Sequence, residues 1–366
     1  MADQETYDRT LDAPAALEGS ALPTQPRPLP DEEYYRGAPE PRRGGRAGLG
    51  IALLLVGLLL LAAQLLGRGL SFGGGGSATL VDQTLPGSRI ELSTSSGDVQ
   101  VRTWRGPDIR VEVTQQGGSS GEYTVDVSRA GDTVRVVESS RGMFCIFCSG
   151  SLRYQISVPD AAQADIKTAS GEIDVVGLGG AVALSTVSGD VRAEDLAGGL
   201  TVGTTSGEVR LNDVAGQLSV TSISGDVKLE DGKVDGAAVK TTSGEIDLSG
   251  VGGALDLGSV SGDISAADAR DGRLTVATTS GGIRYDGSLA RGGANQISSI
   301  SGEVRLRLPA ESGFRLETST VSGDLESEFD LSGGATSRGA LSGVAGDGGA
   351  TLNISTTSGD IRIERR

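Results

Sequence analysis

The stretch TTSGEVRLNDVAGQLSVTSISGDVKL, Thr204 to Leu229, says nearly the same thing twice, and so does most of the chain. A Ser-Gly pair recurs with its glycine at Gly97, Gly171, Gly189, Gly207, Gly225, Gly244, Gly262, Gly281, Gly302, Gly323 and Gly359. From Gly171 the steps are 18, 18, 18, 19, 18, 19, 21, 21 and 36 residues. A fixed period of this size is the mark of a chain that coils and stacks on itself. The last step equals two turns of 18, which implies one decayed copy within LSGGATSRGALSGVAGDGGA.

Aligned on that glycine, each position has one character. Two residues after it stands an aliphatic in every copy, such as Val191, Val209, Val227 and Ile246. Five before it stands Leu, Ile or Val, with Thr318 the one exception. Three before it is always Thr or Ser. The spacing has the period-2 parity of strands with one face buried. Eighteen residues hold two short strands and two turns, too few for a crossover helix. The expected fold is therefore all-β: a parallel β-solenoid of ~18–21-residue coils, in which like residues stack about 4.8 Å apart. Antiparallel hairpins in a meander are the structural alternative. The Thr/Ser position then forms an internal hydroxyl ladder, and the second turn of each coil, as in DLAGG and DVAGQ, uses glycine for positive φ. Outer-face acids and bases two apart (Asp190–Arg192, Glu208–Arg210, Asp226–Lys228, Glu303–Arg305) are expected to offset one another's charge.

The rest of the chain divides by composition. Residues 1–46 are rich in Pro, Glu, Asp and Gln and read as a disordered tail. Residues 47–67 begin AGLGIALLLVGLLLLAAQLL, uncharged and long enough to cross a bilayer as a single helix. Arg42, Arg43 and Arg46 before it, against Arg68 after it, put the N-terminus in the cytoplasm and the remainder outside the cell membrane. Residues 68–78 form a Gly-rich linker, 79–160 an N-terminal β region or cap, and 161–366 the repeats. The closing IRIERR carries charges that would discourage end-to-end growth.

Composition narrows the chemistry. The chain has no histidine, which removes His-dependent nucleophilic catalysis and imidazole metal ligands. A net charge of −16 argues against nucleic-acid binding. The repeated serines are turn-formers rather than nucleophiles, and no carboxylate pair stands apart from the repeat. No catalytic residue, cofactor or metal site is therefore expected, and no enzyme activity. Stacked acids and turn carbonyls could offer calcium oxygen ligands, but the repeat lacks G-G-x-G-x-D turns. Exposed aromatics that would favour carbohydrate are few beyond Trp104. Cys145 and Cys148 in MFCIFC can form a disulfide outside the membrane or remain buried thiols.

The run SRIELSTSSGDVQVRTWRGPDIRVEVT, then LRYQISVPDAAQADIKTASGEIDVVGLGG, then serial TVSGDVR turns resembles the bacterial putative-adhesin domain of unknown function. That family is a β-strand repeat found in membrane-anchored envelope proteins. The resemblance covers most of residues 77–366; it implies an adhesin-like solenoid and supplies no catalytic residues. The expected role is non-catalytic binding or scaffolding at the envelope, with an unknown surface protein or an envelope polysaccharide as partner. Two alternatives stay open: an envelope-stress sensor signalling through the tail, and a self-assembling bactofilin-like scaffold. The oligomeric state is not legible.

Overall fold

The computed structural model describes residues 77–117, 123–140 and 151–366. These hold 27 strands joined by turns and bends, with no helix among the described residues. Strands that enter each Ser-Gly turn form one sheet, here the pre-turn sheet, and strands that leave it form the post-turn sheet. The long strands Val209–Ser224 and Ile264–Ser280 run from one sheet into the other. In the pre-turn sheet Val182, Leu200, Leu218, Ala237 and Leu255 stand in one parallel row, each beside its equivalent one repeat on. In the post-turn sheet Ile173, Val191, Val209, Val227, Ile246 and Ile264 do the same. The pairing between repeats is parallel, with register shifts only near the second turns, as at Gly216/Gln217, Gly252/Ala254 and Ala266/Ala269, so the fold is solenoid-like and the antiparallel meander is set aside.

Strand alternation puts the aliphatic positions of both sheets inside. Leu184, Val202, Val220 and Val239 face Val191, Val209, Val227 and Ile246, all 2% exposed or less. The core is two layers of Val, Ile, Leu and Ala, and burial of such side chains contributes roughly 1.5–3 kcal/mol each. The Thr/Ser position is buried in every copy, from Thr94 to Thr356. Its hydroxyls do not bond along the ladder, because coils about 4.8 Å apart exceed hydrogen-bond reach. Thr168 and Thr204 instead donate to the carbonyl two residues on, at 2.9 and 3.2 Å.

Both ends of the stack depart from the simple repeat. The coil of Gly97 lies directly against that of Gly171 (Leu92 beside Ile166, Val99 beside Ile173), although 74 residues separate the two glycines in sequence. The intervening chain folds back as a cap: Thr133–Ser140 lies parallel to Arg89–Ser96, and Ile109–Gln116 pairs antiparallel with both Ser77–Leu85 and Ser151–Val158. At the other end the order of coils is not the order of sequence. Strand Ala350–Ser358 inserts between Ala294–Ser301 and Phe314–Ser322, and Ile361–Arg365 inserts between Val304–Leu308 and Leu325–Ser327. IRIERR is therefore an inner layer of its sheet rather than the final one. The segment expected to hold a decayed copy is an antiparallel hairpin, Ser332–Ser337 with Ala340–Ala345, lying on the last coil. This explains Thr318, the one polar residue at an aliphatic position: its hydroxyl donates to the Leu341 carbonyl at 2.9 Å.

Among the described residues no helix is long and apolar enough to cross a membrane. The tail, the apolar segment 47–67, the linker as far as residue 76, and the pair Cys145 and Cys148 lie outside the described residues.

Candidate binding site

The Ser-Gly turn is where coils approach most closely. A Cβ on Gly189 would overlap the carbonyl oxygen of Gly171; one on Gly207 would overlap that of Gly189, and one on Gly225 that of Gly207. The same holds for Gly171 over Gly97 and for Gly244, Gly262, Gly281, Gly302, Gly323 and Gly359 over their neighbours. These glycines form a backbone column whose role is stacking, and they surround no pocket. The second turn meets the sequence expectation only in part: Gly177 (φ 83°), Gly216 (83°) and Gly250 (76°) take positive φ. Its left-handed residue is an aspartate in several coils: Asp195 (φ 55°), Asp213 (46°), Asp231 (51°) and Asp268 (50°). Aspartate is among the few side chains that visit this region. Its neighbour Gly198 serves by close approach instead, packed against the Gly180 carbonyl.

The acid that follows each Ser-Gly has two roles, divided by length. The short side chains of Asp190, Asp226 and Asp263 reach the next coil and accept its backbone N–H, from Glu208, Glu245 and Gly282, at 2.9, 2.8 and 2.7 Å. The longer Glu208 and Glu303 turn outward to Arg210 and Arg305. So two of the four expected pairs form, and in the other two Arg192 and Lys228 bond Glu194 and Glu230 instead. Asp360 does both, accepting the Asp324 N–H on one oxygen and Arg362 on the other.

The outer face of the pre-turn sheet carries a second pattern. The residue between the buried Thr/Ser and the Ser-Gly is outward-facing. Taken in spatial order it reads Val187, Thr205, Ile223, Thr242, Val260, Thr279, Ile300, Thr357, Val321. Aliphatic and threonine alternate without a break, and Thr357 falls between Ile300 and Val321 only because its strand is inserted there. The five aliphatics are 48–83% exposed, and besides Trp104 they are the exposed large hydrophobics of the described residues. The alternation is visible in the sequence as TVSGD, TTSGE, SISGD, TTSGE; comparing every second copy would have found all but its last step.

On the same face, where these strands begin, a groove of 640 Å³ runs along the stack from Arg89 to Thr275. Its floor is small: Ala181, Ala183, Gly199, Thr201, Ser219, Gly236, Ala238 and Ala254. Its charged rim holds Arg89 and Asp165 toward one end and Asp256 and Arg273 toward the other. Seven coil steps separate Arg89 from Arg273, about 34 Å at the strand spacing. Trp104 lies elsewhere, its indole N–H donating to the Asp108 carbonyl at 2.8 Å.

No catalytic constellation appears among the described residues, and no cluster of acids there has metal-binding geometry. The strongly perturbed groups are structural. Burial pushes the Tyr154 phenol well above its usual range, beside Thr94 and Glu138; burial does the same to Tyr285. Hydrogen bonds from Arg110, Arg135 and Arg291 hold Asp82, Glu91 and Asp347 below the usual carboxylate range, and all three sit at the capped ends.

Comparison with known proteins places these features in context. The family model described as Toastrack DUF4097 matches residues 87–291 and 290–364. No curated protein matches the chain. Solved structures to which the chain is similar include a putative adhesin from Bacteroides fragilis (11% identity, 79% of this chain and 97% of that one, TM-score 0.38). Others are a putative lipid binding protein from Parabacteroides distasonis (12%, 80% and 97%, 0.37) and a putative adhesin from Parabacteroides merdae (9%, 80% and 98%, 0.32).

Proposed function

The chain belongs to the Toastrack DUF4097 family, and from that premise we propose that it is a non-catalytic, adhesin-like binding module that lays an extended envelope polymer along its pre-turn sheet. The observation that carries this reading is the groove: a shallow, continuous channel of small side chains that crosses successive coils and is lined by repeated, equivalent positions. Such a surface offers many weak contacts in series, and their sum gives avidity without one tight pocket. The exposed aliphatic–threonine ridge lies further along the same sheet face and adds apolar contact. In this reading residues 47–67 anchor the chain in the cell membrane, with residues 1–46 inside and the β domain outside.

The experiment is a binding assay of the full chain against purified envelope polysaccharide, comparing the wild type with Ala183→Trp/Ala238→Trp. Both positions face outward on the groove floor, so the added rings block the channel without entering the core. A loss of roughly ten-fold in affinity, about 1.4 kcal/mol, is expected with an unchanged circular dichroism spectrum. Equal binding by the double variant would overturn the groove as the site.

A further inference from the structure

On the opposite, post-turn sheet one cation stands apart from the others of its row. The outward row three residues after the turn glycine contains Arg192, Arg210, Lys228, Arg284, Arg305 and Arg362. Five of these six have an acid of their own coil at ion-pair distance. Arg284 has none among the described residues: its turn reads TTSGG, so Gly282 stands where the other copies have Asp or Glu, and Asp286, placed as Glu194 and Glu230 are, pairs with Arg307 and Arg366 instead. The neighbouring coil departs as well. Ser265, beside Arg284 in register, replaces a charged residue, with Asp247 on its far side.

Small residues in two adjacent coils leave a notch. Two adjoining hollows of 310 and 340 Å³ share Ser265, Arg284 and Arg305. Arg305 is already held by Glu303 and Glu364, and Arg307 by Asp286 and Glu364. Among the described residues that line the notch, Arg284 is therefore the cation without an ion pair. On the other side of the notch stand Glu245 and Asp263, whose carboxylates keep acceptor capacity; Asp263 uses one oxygen for the Gly282 N–H. A guanidinium matches a carboxylate in fork geometry. Carboxylates and a serine hydroxyl across a hollow of this size suit the hydroxyls of one sugar ring.

We propose that this notch is a subsite for an acidic saccharide: Arg284 takes the carboxylate of a uronate-type unit, while Ser265, Asp263 and Glu245 bond its hydroxyls. It lies on the opposite sheet from the groove and stands or falls independently of it.

The test uses the full chain and fluorescently labelled tetragalacturonate, with polyglutamate of similar length as the competing acidic peptide. Arg284→Ala is compared with Gly282→Asp, which restores the acid of the repeat. A Cβ at Gly282 meets nothing nearer than 3.5 Å, so this variant keeps the fold. Both are expected to weaken tetragalacturonate binding at least ten-fold, while Arg210→Ala in the same row and the groove double variant leave it unchanged. Three results would each overturn the assignment: no binding by the wild type, undiminished binding by Gly282→Asp, or polyglutamate binding as well as the saccharide.

Discussion

At the scale of single residues, the repeat separates positions that look interchangeable in composition. Glycine at the Ser-Gly turn answers to the carbonyl of the coil beneath, whereas Asp195 in the second turn answers to its own backbone, held at φ 55°. That difference predicts opposite tolerance to substitution. Asp195→Gly should leave stability nearly unchanged, because glycine enters the left-handed region freely. Asp195→Val should cost about 1–2 kcal/mol, the penalty of that conformation for an ordinary side chain. Urea unfolding of the two variants checks it; equal midpoints would remove the backbone explanation. The division of acids follows the same logic of reach, since Asp spans to the next N–H and Glu does not need to.

Among elements, the decisive ones are those that end the stack. An open coil presents unpaired backbone that another chain can extend. At the first coil, Thr133–Ser140 places Glu138 where the next hydroxyl of the ladder would stand. Its carboxylate accepts the Ser95 N–H at 3.0 Å and the Ser95 hydroxyl at 2.7 Å, and it also takes the hydroxyl of Thr94. The Tyr154 hydroxyl donates to it as well, at 3.3 Å. One glutamate thus closes the turn that would otherwise wait for a further coil. Glu138→Ala should cost about 1–3 kcal/mol, the penalty for leaving such donors unpaired. Hydrogen exchange should show faster opening confined to Arg89–Ser96 and its neighbours. Destabilisation spread evenly over the repeats would contradict this local role. The opposite end is closed by the Ser332–Ser337 and Ala340–Ala345 hairpin, and by Phe329, which packs edge-on against Phe314 at 5.1 Å under the Arg365 guanidinium.

For the whole molecule, the proposed anchoring can be tested without knowing the ligand. Protease treatment of spheroplasts carrying a C-terminally tagged chain should release one resistant fragment by cutting in 73–76, because the closely stacked coils offer little open backbone. A fragment protected until lysis would reverse the orientation, and a surface-binding role would fall with it. The ion pairs of the post-turn face bear little on this resistance: they are largely exposed and contribute about 0–1 kcal/mol each.

The period, the buried Val, Ile and Leu positions and the Thr/Ser ladder were legible in the sequence, because each strand repeats one inward and outward pattern and parallel stacking places like on like. Family resemblance was legible for the same reason. Tertiary structure alone decided the order of coils. Nothing local in TLNISTTSGDIRIER says that its two strands slip beneath the coil of Gly323, since their own preferences are satisfied at any level of the stack. It alone decided where the caps fold back, and it revealed that the aliphatic–threonine ridge continues unbroken across that inversion. The groove and the Arg284 notch also belong to the assembled stack. Both exist because small residues from successive coils fall beside one another, and a linear reading weighs each of them separately as an unremarked Ala, Gly or Ser.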